Sequence, residues 1–402
     1  MHTGPKLTNN NLVFGYDTGY GIADNETSTR FYPGMPTTNL NADPYHSTKS
    51  AGDTVTLSAW GGDTGQGSFE VNTSPAGGGM MFINHNTSDP AGTGGTFTDF
   101  PSTRYTLTNG VTYTRSWWAK ADDNRSVSAH ICSCNRDSTN TYIVGPSITL
   151  SPTWQRYSST FNYTGATSSD WQFRHIIYDA SKVYIANVQL EVGSIASPPL
   201  IGTRSDTASL IDLKKTTDID VSSVSFNSTG QPEFDGTDDY FTTSGLSGVN
   251  SQVLTFEKVI RFNGTLDTND RKIFHWDKTG TTNGVAQVRK GSGNSILMYQ
   301  HHNGSQWYTL SVDNVVVADT FMHIVVVHSG TTATMYKNGV QVGTATVGVL
   351  NYTDAAEILV GYRANSEYWK GNIPVFKVYD QALTLTEVVS NFNAYKNRFD
   401  IQ

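Results

Sequence analysis

The sequence predicts an all-β protein, built as two antiparallel β-sandwiches with one short helix near the C-terminal end. Short runs of alternating apolar and polar residues recur, separated by turns rich in Gly, Asn, Asp and Pro, and this pattern is typical of sandwiches and barrels. A chain of 402 residues is too long for one ordinary core, so we expect two or three domains. Helical periodicity is confined to 384–396, where Thr384 or Thr386 can cap a helix whose apolar positions are Leu383, Val388, Val389, Phe392 and Tyr395.

Six strands are predicted in the first half of the chain. The segment 60–100 is rich in Gly and Thr, and it is predicted to form loops with short strands such as 80–85. Pro198 and Pro199 predict a linker after the last strand, because proline cannot continue a sheet. The six strands are predicted at 111–119, 127–132, 142–144, 154–161, 171–178 and 183–191.

Three hairpins are predicted in the second half, and Asn-Gly steps supply the positive φ angles that two of their turns need. Both faces of 321–328 are largely apolar, which predicts a central strand covered on both sides. The paired His301 and His302 are predicted to lie at a solvated hairpin end, and a metal site shared with His275 is the alternative. The hairpins join 296–301 to 306–311, 321–328 to 333–336, and 333–336 to 340–347.

Residues 205–402 carry motifs that resemble the concanavalin A-like, laminin-G-type sandwich domains of phage and bacterial surface proteins. FDGTDDYF at 234–241 resembles the family's early Asp-Gly turn and strand, and 321–327 resembles its central strand, with Phe321 where Trp is usual. The hairpin 329–342 and the closing ILVGYR and KGNIPVFKVYDQALTLTEVV segments are similar to family patterns as well. This resemblance implies a concanavalin A-like sandwich, and it leaves the ligand open because the fold supports many functions.

Residues 100–200 resemble the jelly-roll carbohydrate-binding modules of polysaccharidases and phage structural proteins. The supporting segments are YTLTNGVTYTRSWWAKA, LSPTWQRYSSTF and VYIANVQLEVGS, of which the last is similar to a closing strand that phage modules place before a proline-bearing linker. The predicted organisation is therefore an N-terminal arm at 1–35, a jelly roll at 36–198 and a concanavalin A-like sandwich at 205–402.

Two connectivities are compatible with these motifs. Residues 12–16 resemble the opening strand of the phage concanavalin-like domain, although the rest of that domain begins some 170 residues later. The jelly roll is then an insertion into the second sandwich, which would place the linkers near 30–38 and 196–206 side by side. The alternative is two consecutive sandwiches preceded by an arm.

Composition excludes several classes of partner. The net charge is −8 without a basic block, which argues against nucleic acid or an anionic membrane as partner. No apolar run is long enough to span a bilayer, and the start, MHTGPKLTNNN, predicts no signal peptide. Charged residues make up only 15% of the chain, so Thr, Ser, Asn and Gly are expected to fill a neutral, polar surface.

Catalytic and metal-binding patterns are weak in this sequence. Retaining glycoside hydrolysis needs two carboxyl groups about 5 Å apart, and the alternating acids that would supply them on one strand do not occur. The sequence therefore predicts no enzyme. Both resembled families often carry one Ca²⁺ at a sandwich edge, and the alternative for each candidate is an acid that accepts hydrogen bonds from nearby backbone N–H groups. The calcium candidates are Asp235, Asp238 and Asp239, and Glu191 with Asn187.

Exposed aromatic platforms with amide and carboxylate partners are what sugar binding uses. Trp307 and Trp369 are the strongest candidates because each adjoins a polar turn, whereas Trp117 and Trp154 lie within alternating strands and are predicted to be core. For any single aromatic residue, burial in the core is the alternative. The other candidates are Trp276, Tyr308 and Tyr362 in the second sandwich, and Trp60, Trp118 and Trp171 in the first.

The neutral β-surface without a catalytic constellation predicts a non-enzymatic surface protein, and the resemblance to phage modules implies a bacteriophage virion protein: a capsid-decoration, baseplate-associated or fibre-tip module assembled in the host cytoplasm. Its expected partners are other virion proteins, further copies of itself and host surface glycans. Residues 60–100 and the first dozen residues are expected at a protein–protein interface, because long neutral loops pack at little desolvation cost. A bacterial cell-surface adhesin that binds carbohydrate is the main alternative, and a polysaccharide depolymerase is the third.

Overall fold

The computed structural model shows an almost entirely β protein in which only one α-helix occurs among the described residues. No helix among the residues that the structure describes is long and apolar enough to cross a membrane. The structure describes residues 7–19, 32–41, 43, 46–59, 65–86, 96–122, 126–127, 130–133, 148–165, 168–177, 182–243, 245–246, 248–279, 284–293, 295–363 and 367–402.

The strands are numbered in chain order. The first fourteen are β1 (Leu12–Asp17), β2 (Thr37–Thr38), β3 (Thr54–Ala59), β4 (Gly65–Val71), β5 (Met80–Asn86), β6 (Thr96–Leu107), β7 (Thr112–Ala121), β8 (Ser126–Val127), β9 (His130–Ser133), β10 (Ile148–Thr149), β11 (Gln155–Asn162), β12 (Ser168–Ile177), β13 (Lys182–Val192) and β14 (Thr203–Arg204). A 3₁₀ turn at Asp206–Ala208 precedes β15 (Ile219–Ser223), β16 (Ser225–Phe226), β17 (Pro232–Asp235), β18 (Tyr240–Thr243), β19 (Val253–Phe262), β20 (Arg271–Lys278), β21 (Ala286–Lys290), β22 (Leu297–His302), β23 (Trp307–Val312), β24 (Met322–Ser329), β25 (Thr332–Lys337), β26 (Val340–Thr346), β27 (Ala355–Val360), β28 (Lys370–Tyr379) and the helix α1 (Leu385–Lys396).

The chain divides into two compact units, and the first contains both ends of the sequence. One unit comprises Met1–Pro36 with Ser205–Gln402, and the other is Thr37–Arg204. Strand β1 pairs antiparallel with β28 across more than 350 residues of sequence, and Phe14 lies opposite Val378. Residues 37–204 are therefore inserted into a sandwich whose first strand precedes them. Strands β2 and β14, at the two ends of this insertion, pair with each other.

The unit that comprises residues 1–36 and 205–402 is called the C-terminal unit, and two sheets form its sandwich. One sheet has eight strands in the order β16-β17-β28-β19-β24-β25-β26, with β1 also paired to β28. The other has seven strands in the order β15-β18-β27-β20-β21-β22-β23. Alternate residues of both sheets fill one core of fully buried apolar side chains, which include Phe256, Phe274, Trp276, Ile324 and Phe376.

The outer face of the eight-stranded sheet is covered by α1 and the C-terminal turn. Val325 and Val327 of β24 pack with Leu383 and Val388, and the sequence prediction that this strand is covered on both faces is confirmed. The helix starts at Thr384 with a capping box: Thr384 Oγ1 accepts from Glu387 N (3.3 Å), and Glu387 Oε2 accepts from Thr384 N (2.8 Å). The predicted helix is thereby confirmed within one residue.

The inserted unit contains a nine-stranded sheet in the order β11-β7-β13-β5-β4-β3-β6-β12-β9. Its core packs Phe82, Trp117, Ile185 and Leu190 among other apolar side chains, so Trp117 is a core residue as predicted. Most predicted strands of this half occur within a few residues of their expected bounds, as β7, β11, β12 and β13 do. The strand predicted at 142–144 lies outside the described residues.

One expectation about the N-terminal half is corrected. The segment 60–100, predicted to form loops with short strands, also contains β4 and the start of β6, because backbone pairing with neighbouring strands holds Gly- and Thr-rich sequences that show little apolar alternation. The short strand predicted at 80–85 is confirmed as β5. The described part of the first dozen residues packs on its own chain, where Thr8 N donates to Asn391 Oδ1 (2.7 Å) and Leu12 lies against Val327. These residues are therefore part of the fold, and a protein–protein interface at them and at 60–100 stays a prediction.

Candidate ligand-binding face

A row of polar side chains crosses the outer face of the seven-stranded sheet. His275, Gln287, Gln300 and Thr309 lie opposite one another on the adjacent strands β20 to β23. His275 Nδ1 donates to Gln287 Oε1 (3.1 Å), Gln287 Nε2 to Gln300 Oε1 (3.0 Å), and Gln300 Nε2 to Thr309 Oγ1 (2.9 Å). Asp277 Oδ1 lies 3.2 Å from His275 Nε2 at the other end. We call these five residues the polar ladder.

Strand alternation explains why the ladder forms on this face. The residues next to the ladder positions point to the opposite side and belong to the core: Trp276, Val288, Tyr299 and Leu310. Each glutamine of the ladder uses both its oxygen and its nitrogen in hydrogen bonds, so neither amide can rotate without breaking two of them. The ladder is therefore held in one orientation before any ligand arrives.

The ladder is buried at His275 and Gln287 and reaches solvent at Thr309, while the side chain of Asp277 is 31% exposed. Gly284 lies against the His275 ring, since a Cβ at Gly284 would come within 2.4 Å of His275 Cε1. His275 and Gln287 are 1% and 2% exposed, whereas Thr309 is exposed. Partial burial raises the pKa of Asp277, but the contact with His275 outweighs burial, so that the pKa of Asp277 is lowered. A ligand can therefore reach the ladder at its Gln300–Thr309 end.

Trp307 stands beside this open end. Its side chain is 37% exposed, and it lies in the next position of the same face, where it pairs with His302 across the hairpin. The rings of His302 and Trp307 meet edge to face at 5.2 Å, and the Arg363 guanidinium lies 5.7 Å from the indole centroid. Arg363 Nη1 is 3.9 Å from Glu367, whose carboxylate also pairs with Lys272 Nζ (2.9 Å). The indole is thus held by its neighbours and still presents surface to solvent.

Two of the predicted sugar-binding tryptophans are corrected to core residues. Trp276 is fully buried and its indole N–H donates to Ala356 O (3.2 Å). Trp369 is also fully buried, and its ring meets Phe262 edge to face at 5.7 Å. A polar turn next to Trp369 in the sequence did not indicate exposure, because the chain enters β28 at that point and the indole turns into the sandwich.

The two tyrosine candidates are partly buried. Tyr308 packs against the core and stacks on His301 at 5.2 Å. Tyr362 lies between Tyr240 (4.9 Å) and Tyr368 (4.5 Å) in a small aromatic stack of half-buried rings. Partial burial raises the pKa of Tyr368, and the neighbouring Tyr362 raises it further. Tyr362 is therefore half-buried within this stack and is not one of the five residues of the polar ladder.

In the inserted unit, Trp118 is half-buried over Met81, Ile83 and Ala186. Trp154 lies in the same cluster, and its indole N–H donates to Thr73 Oγ1 (3.3 Å). The prediction that Trp154 is a core residue is wrong, because its side chain is only half-buried. The side chain of Trp171 and all of Trp60 lie outside the described residues.

The histidine pair is corrected in part. His301 is fully buried between the two sheets, where its ring meets that of His328 at 5.2 Å, and burial lowers the pKa of His301 to about 4. His302 is half-buried on the outer face and its Nδ1 accepts from Gly304 N (3.2 Å). The period of two along β22 sends the neighbouring rings to opposite faces, so they cannot share one metal ion.

The three acids at the Asp-Gly turn come together in the structure. One carboxylate oxygen from each of Asp235, Asp238 and Asp239 lies within 4.8 Å of the others. Asp239 is largely occupied already, because it accepts from Ser225 N (3.0 Å) and from Asp235 N (2.8 Å). Oxygen ligands suit Ca²⁺, yet the same oxygens also hold the turn, so calcium binding here stays a prediction.

Glu191 is fully buried near the segment that closes the inserted unit. Its Oε1 accepts from Ser197 N (2.8 Å) and from Gln189 Nε2 (2.9 Å), which fastens the chain after β13 to that strand. Asn187 is engaged separately with Asn72, Ser74 and Gly77. These contacts give Asn187 and Glu191 Oε1 a structural role, whereas Glu191 Oε2 is buried and accepts no hydrogen bond from the described residues, and a calcium ion at Glu191 stays a prediction.

Sequence inspection missed the polar ladder itself. Gln287 and Gln300 stand in apolar surroundings, in AQV and MYQHH, and a polar residue at every second position of neighbouring strands was the available signal. Strand order and register had to be known before these positions could be placed in one row.

Comparison with known proteins adds a limited amount. None of the curated proteins compared with the chain matches it. Among solved structures, the chain is similar to the binding domain of botulinum neurotoxin DC in complex with rat synaptotagmin II, at 11% identity and a TM-score of 0.40 over 47% of this chain and 50% of that one. The receptor binding domain of botulinum neurotoxin type G is similar at 16% identity and a TM-score of 0.36, over 46% and 48%.

The chain spans about half the length of these solved chains, and a likeness at this level says nothing of its ligands. The family model that matches describes the concanavalin A-like lectin/glucanases superfamily, and it covers residues 235–389. This range includes most strands of both sheets, from β18 to β28, and every residue of the polar ladder. The C-terminal unit thus contains a concanavalin A-like, lectin-type sandwich domain.

Proposed function

We propose that this protein is a non-catalytic surface module of a bacteriophage particle that binds host glycans on the face formed by the polar ladder and Trp307. The observation that carries the proposal is a hydrogen-bonded row of amides that ends, at its open side, beside a partly exposed indole. A lectin-type fold agrees with a binding role.

The open end offers what a sugar ring requires. The Trp307 indole provides an apolar platform for the C–H face of a pyranose. Gln300 Nε2 uses one of its two hydrogens on Thr309, so a second N–H remains, and the Thr309 hydroxyl can still donate. His302 Nδ1 accepts from Gly304, which leaves the proton on Nε2 as a further donor. These donors are fixed, so binding costs little additional ordering.

Binding without catalysis is favoured by the state of the acid on this face. Asp277 is the acid of the ladder, and its carboxylate faces His275, at the end of the row opposite Thr309. No second carboxylate takes part in the row across the described strands, whereas glycoside hydrolysis needs two flanking the scissile bond. The proposal therefore treats the face as a recognition surface.

The phage assignment rests on sequence. The motifs of both halves resemble modules of phage surface proteins, and only 15% of residues are charged, which suits packing against other particle proteins. Copies of the chain itself are included among those partners. Quantitative mass spectrometry of purified particles tests this assignment, and recovery of the protein only from the bacterial surface would favour the adhesin instead.

The glycan site is tested by substituting Trp307. The purified chain is applied to an array of bacterial capsular and O-antigen polysaccharides, and its best ligand is titrated against the wild type and Trp307→Ala. We expect the substitution to weaken binding at least about tenfold, since aromatic anchors dominate binding energy. Gln341→Ala is the matched control, because Gln341 is exposed on β26 of the other sheet.

Binding that Trp307→Ala leaves intact, or that Gln341→Ala weakens equally, would show that the face is not the site. Thermal unfolding of all three proteins checks that the fold is unchanged, which the partial exposure of Trp307 leads us to expect.

A further inference from the structure

A separate cavity opens at the edge of the eight-stranded sheet, away from the polar ladder. Its volume is about 340 Å³, which lies at the lower end of the range for small-ligand sites. The chain brings its walls together from distant segments: the end of β1, the turn before β17, the end of β19, the start of β24 and the turn after α1. We propose that this cavity binds an acidic monosaccharide, such as a uronic acid residue.

Two arginines dominate the charge of the cavity. Arg398 Nη1 donates to Asp17 Oδ2 (2.8 Å) and Arg398 Nη2 donates to Asp17 Oδ1, while Arg261 Nη2 donates to Asp319 Oδ1 at 3.4 Å. A guanidinium has five N–H groups, so these contacts leave about three unused on Arg398 and about four on Arg261. Arg261 Nε is buried and has no partner among the described residues.

The acids beside these arginines have less capacity left. Asp17 accepts two bonds from Arg398 and a third from Gly19 N (2.7 Å). Asp319 Oδ1 accepts from Arg261 and from Gly264 N (2.9 Å). The groups left over in the cavity are therefore mainly N–H donors. A ligand rich in acceptors, above all a carboxylate, is the chemistry that matches them.

The guanidinium groups are held in position by aromatic rings. Arg261 lies 5.8 Å from the Phe321 centroid, and Arg398 lies 4.5 Å from that of Phe399. The two rings contact each other at 5.2 Å. Gly19 allows the Arg398 group to lie against the backbone, because a Cβ at Gly19 would come 2.6 Å from Arg398 Nη2.

Side-chain amides supply partners for hydroxyl groups. Asn227 Oδ1 already accepts from Thr229 N (2.9 Å) and Gln231 N (3.1 Å), so its Nδ2 is the end that remains. Asn372 Nδ2 donates to Pro232 O (3.3 Å), so its Oδ1 remains as an acceptor. A free donor and a free acceptor suit sugar hydroxyls, which both donate and accept, and a simple inorganic anion would not use them.

The test compares two ligands that differ only in the carboxylate. Saturation-transfer NMR titrates the full chain with methyl glucuronide and with methyl glucoside. We expect the glucuronide to bind at least about tenfold more tightly than the glucoside. Equal binding of the two sugars, no binding of the glucuronide, or displacement of the glucuronide by inorganic sulfate at equal concentration would overturn the proposal.

Arg261→Met locates the site. Its partner Asp319 is 57% exposed, so this substitution leaves no buried charge, whereas loss of Arg398 would strand the buried Asp17. We expect Arg261→Met to weaken glucuronide binding about tenfold, and Arg289→Met, which breaks a comparable ion pair with Asp270 in the other sheet, to leave it unchanged. Unchanged binding in Arg261→Met would overturn the proposal. Trp307→Ala should retain glucuronide binding, so this site and the ladder site fail or stand separately.

Discussion

The two outer faces of the C-terminal sandwich both carry polar networks, and they differ in what covers them. On the eight-stranded sheet, Glu257 accepts from His323 Nε2 (2.8 Å) and from the Tyr379 hydroxyl (2.6 Å), and all three side chains are fully buried. On the seven-stranded sheet, the polar ladder is buried at His275 and Gln287 and reaches solvent at Thr309, beside Trp307.

This difference separates a structural network from a binding one. Under α1, the Glu257 carboxylate accepts from the buried His323 and Tyr379 side chains, and burial lowers the pKa of the neighbouring Lys377 although the Glu257 charge opposes that shift. Removing one partner there leaves uncompensated charge in a dry environment. On the open face, water can replace a lost partner, so the same kind of substitution should cost little stability and act on ligands instead.

The largest effect is expected from Glu257. Glu257→Ala would leave His323 and Tyr379 without the carboxylate that accepts their hydrogen bonds and would remove a negative charge that favours the buried Lys377 ammonium, so we expect a loss of about 3–5 kcal/mol in the free energy of unfolding. Urea denaturation followed by tryptophan fluorescence measures it. Glu357→Ala is the control, because Glu357 is exposed on β27 and should change stability by less than about 0.5 kcal/mol. A small effect of Glu257→Ala would mean that the covered face is not a closed network.

A smaller effect is expected from the two histidines that are buried between the sheets of the C-terminal sandwich, His301 and His328. Burial lowers the pKa of His301 to about 4 and also lowers that of His328, so protonation favours the unfolded chain. The contribution of these neutral histidines to the free energy of unfolding should be fully present above about pH 6.5 and should be lost as the pH drops towards 4. The loss that comes from His301 should be about 2 kcal/mol at about pH 4.5.

Denaturation at several pH values tests this, with two substitutions to assign the change. His301→Phe should remove about this amount of acid sensitivity, whereas His302→Phe should keep it, because His302 lies on the outer face. An unchanged pH profile in His301→Phe would contradict the assignment.

The smallest change in stability is expected on the open face. Gln300→Ala interrupts the ladder next to Trp307, where solvent can satisfy Gln287 and Thr309, so we expect less than about 1 kcal/mol of destabilisation. Glycan affinity should nevertheless fall several-fold, because a fixed donor is lost. Titration with the ligand identified for the wild type measures this. A large loss of stability with unchanged affinity would make the ladder a structural feature like the Glu257 network.

Local patterns in the sequence were sufficient for elements that local interactions decide. The capping box at Thr384 and the three- and four-residue spacing of apolar positions predicted α1, and the Asn-Gly steps predicted the hairpins of β22 to β26. Strands without clear alternation, such as β4 with its two glycines, were not found, because their partners and not their own residues hold them in the sheet.

Exposure of particular side chains was predicted less well. Trp307 and Trp369 both adjoin polar turns, yet one is 37% exposed and the other is fully buried. Neighbours in sequence do not report on the facing sheet, and for Trp369 it is Phe262, over 100 residues away, that fills the other side of the ring. The same reason explains why His301 was expected in solvent and lies in the core.

By itself, the sequence determined the all-β class, the single C-terminal helix and the lectin-type motifs of the second half, since periodicity, turn residues and caps act over a few positions. Tertiary structure decided between the two connectivities that the motifs allowed, through the pairing of β1 with β28, and it alone formed the row of the polar ladder and the cavity between Arg261 and Arg398. Each of these joins residues that are distant in the chain. Their proximity depends on strand order and register, which short-range sequence patterns do not encode.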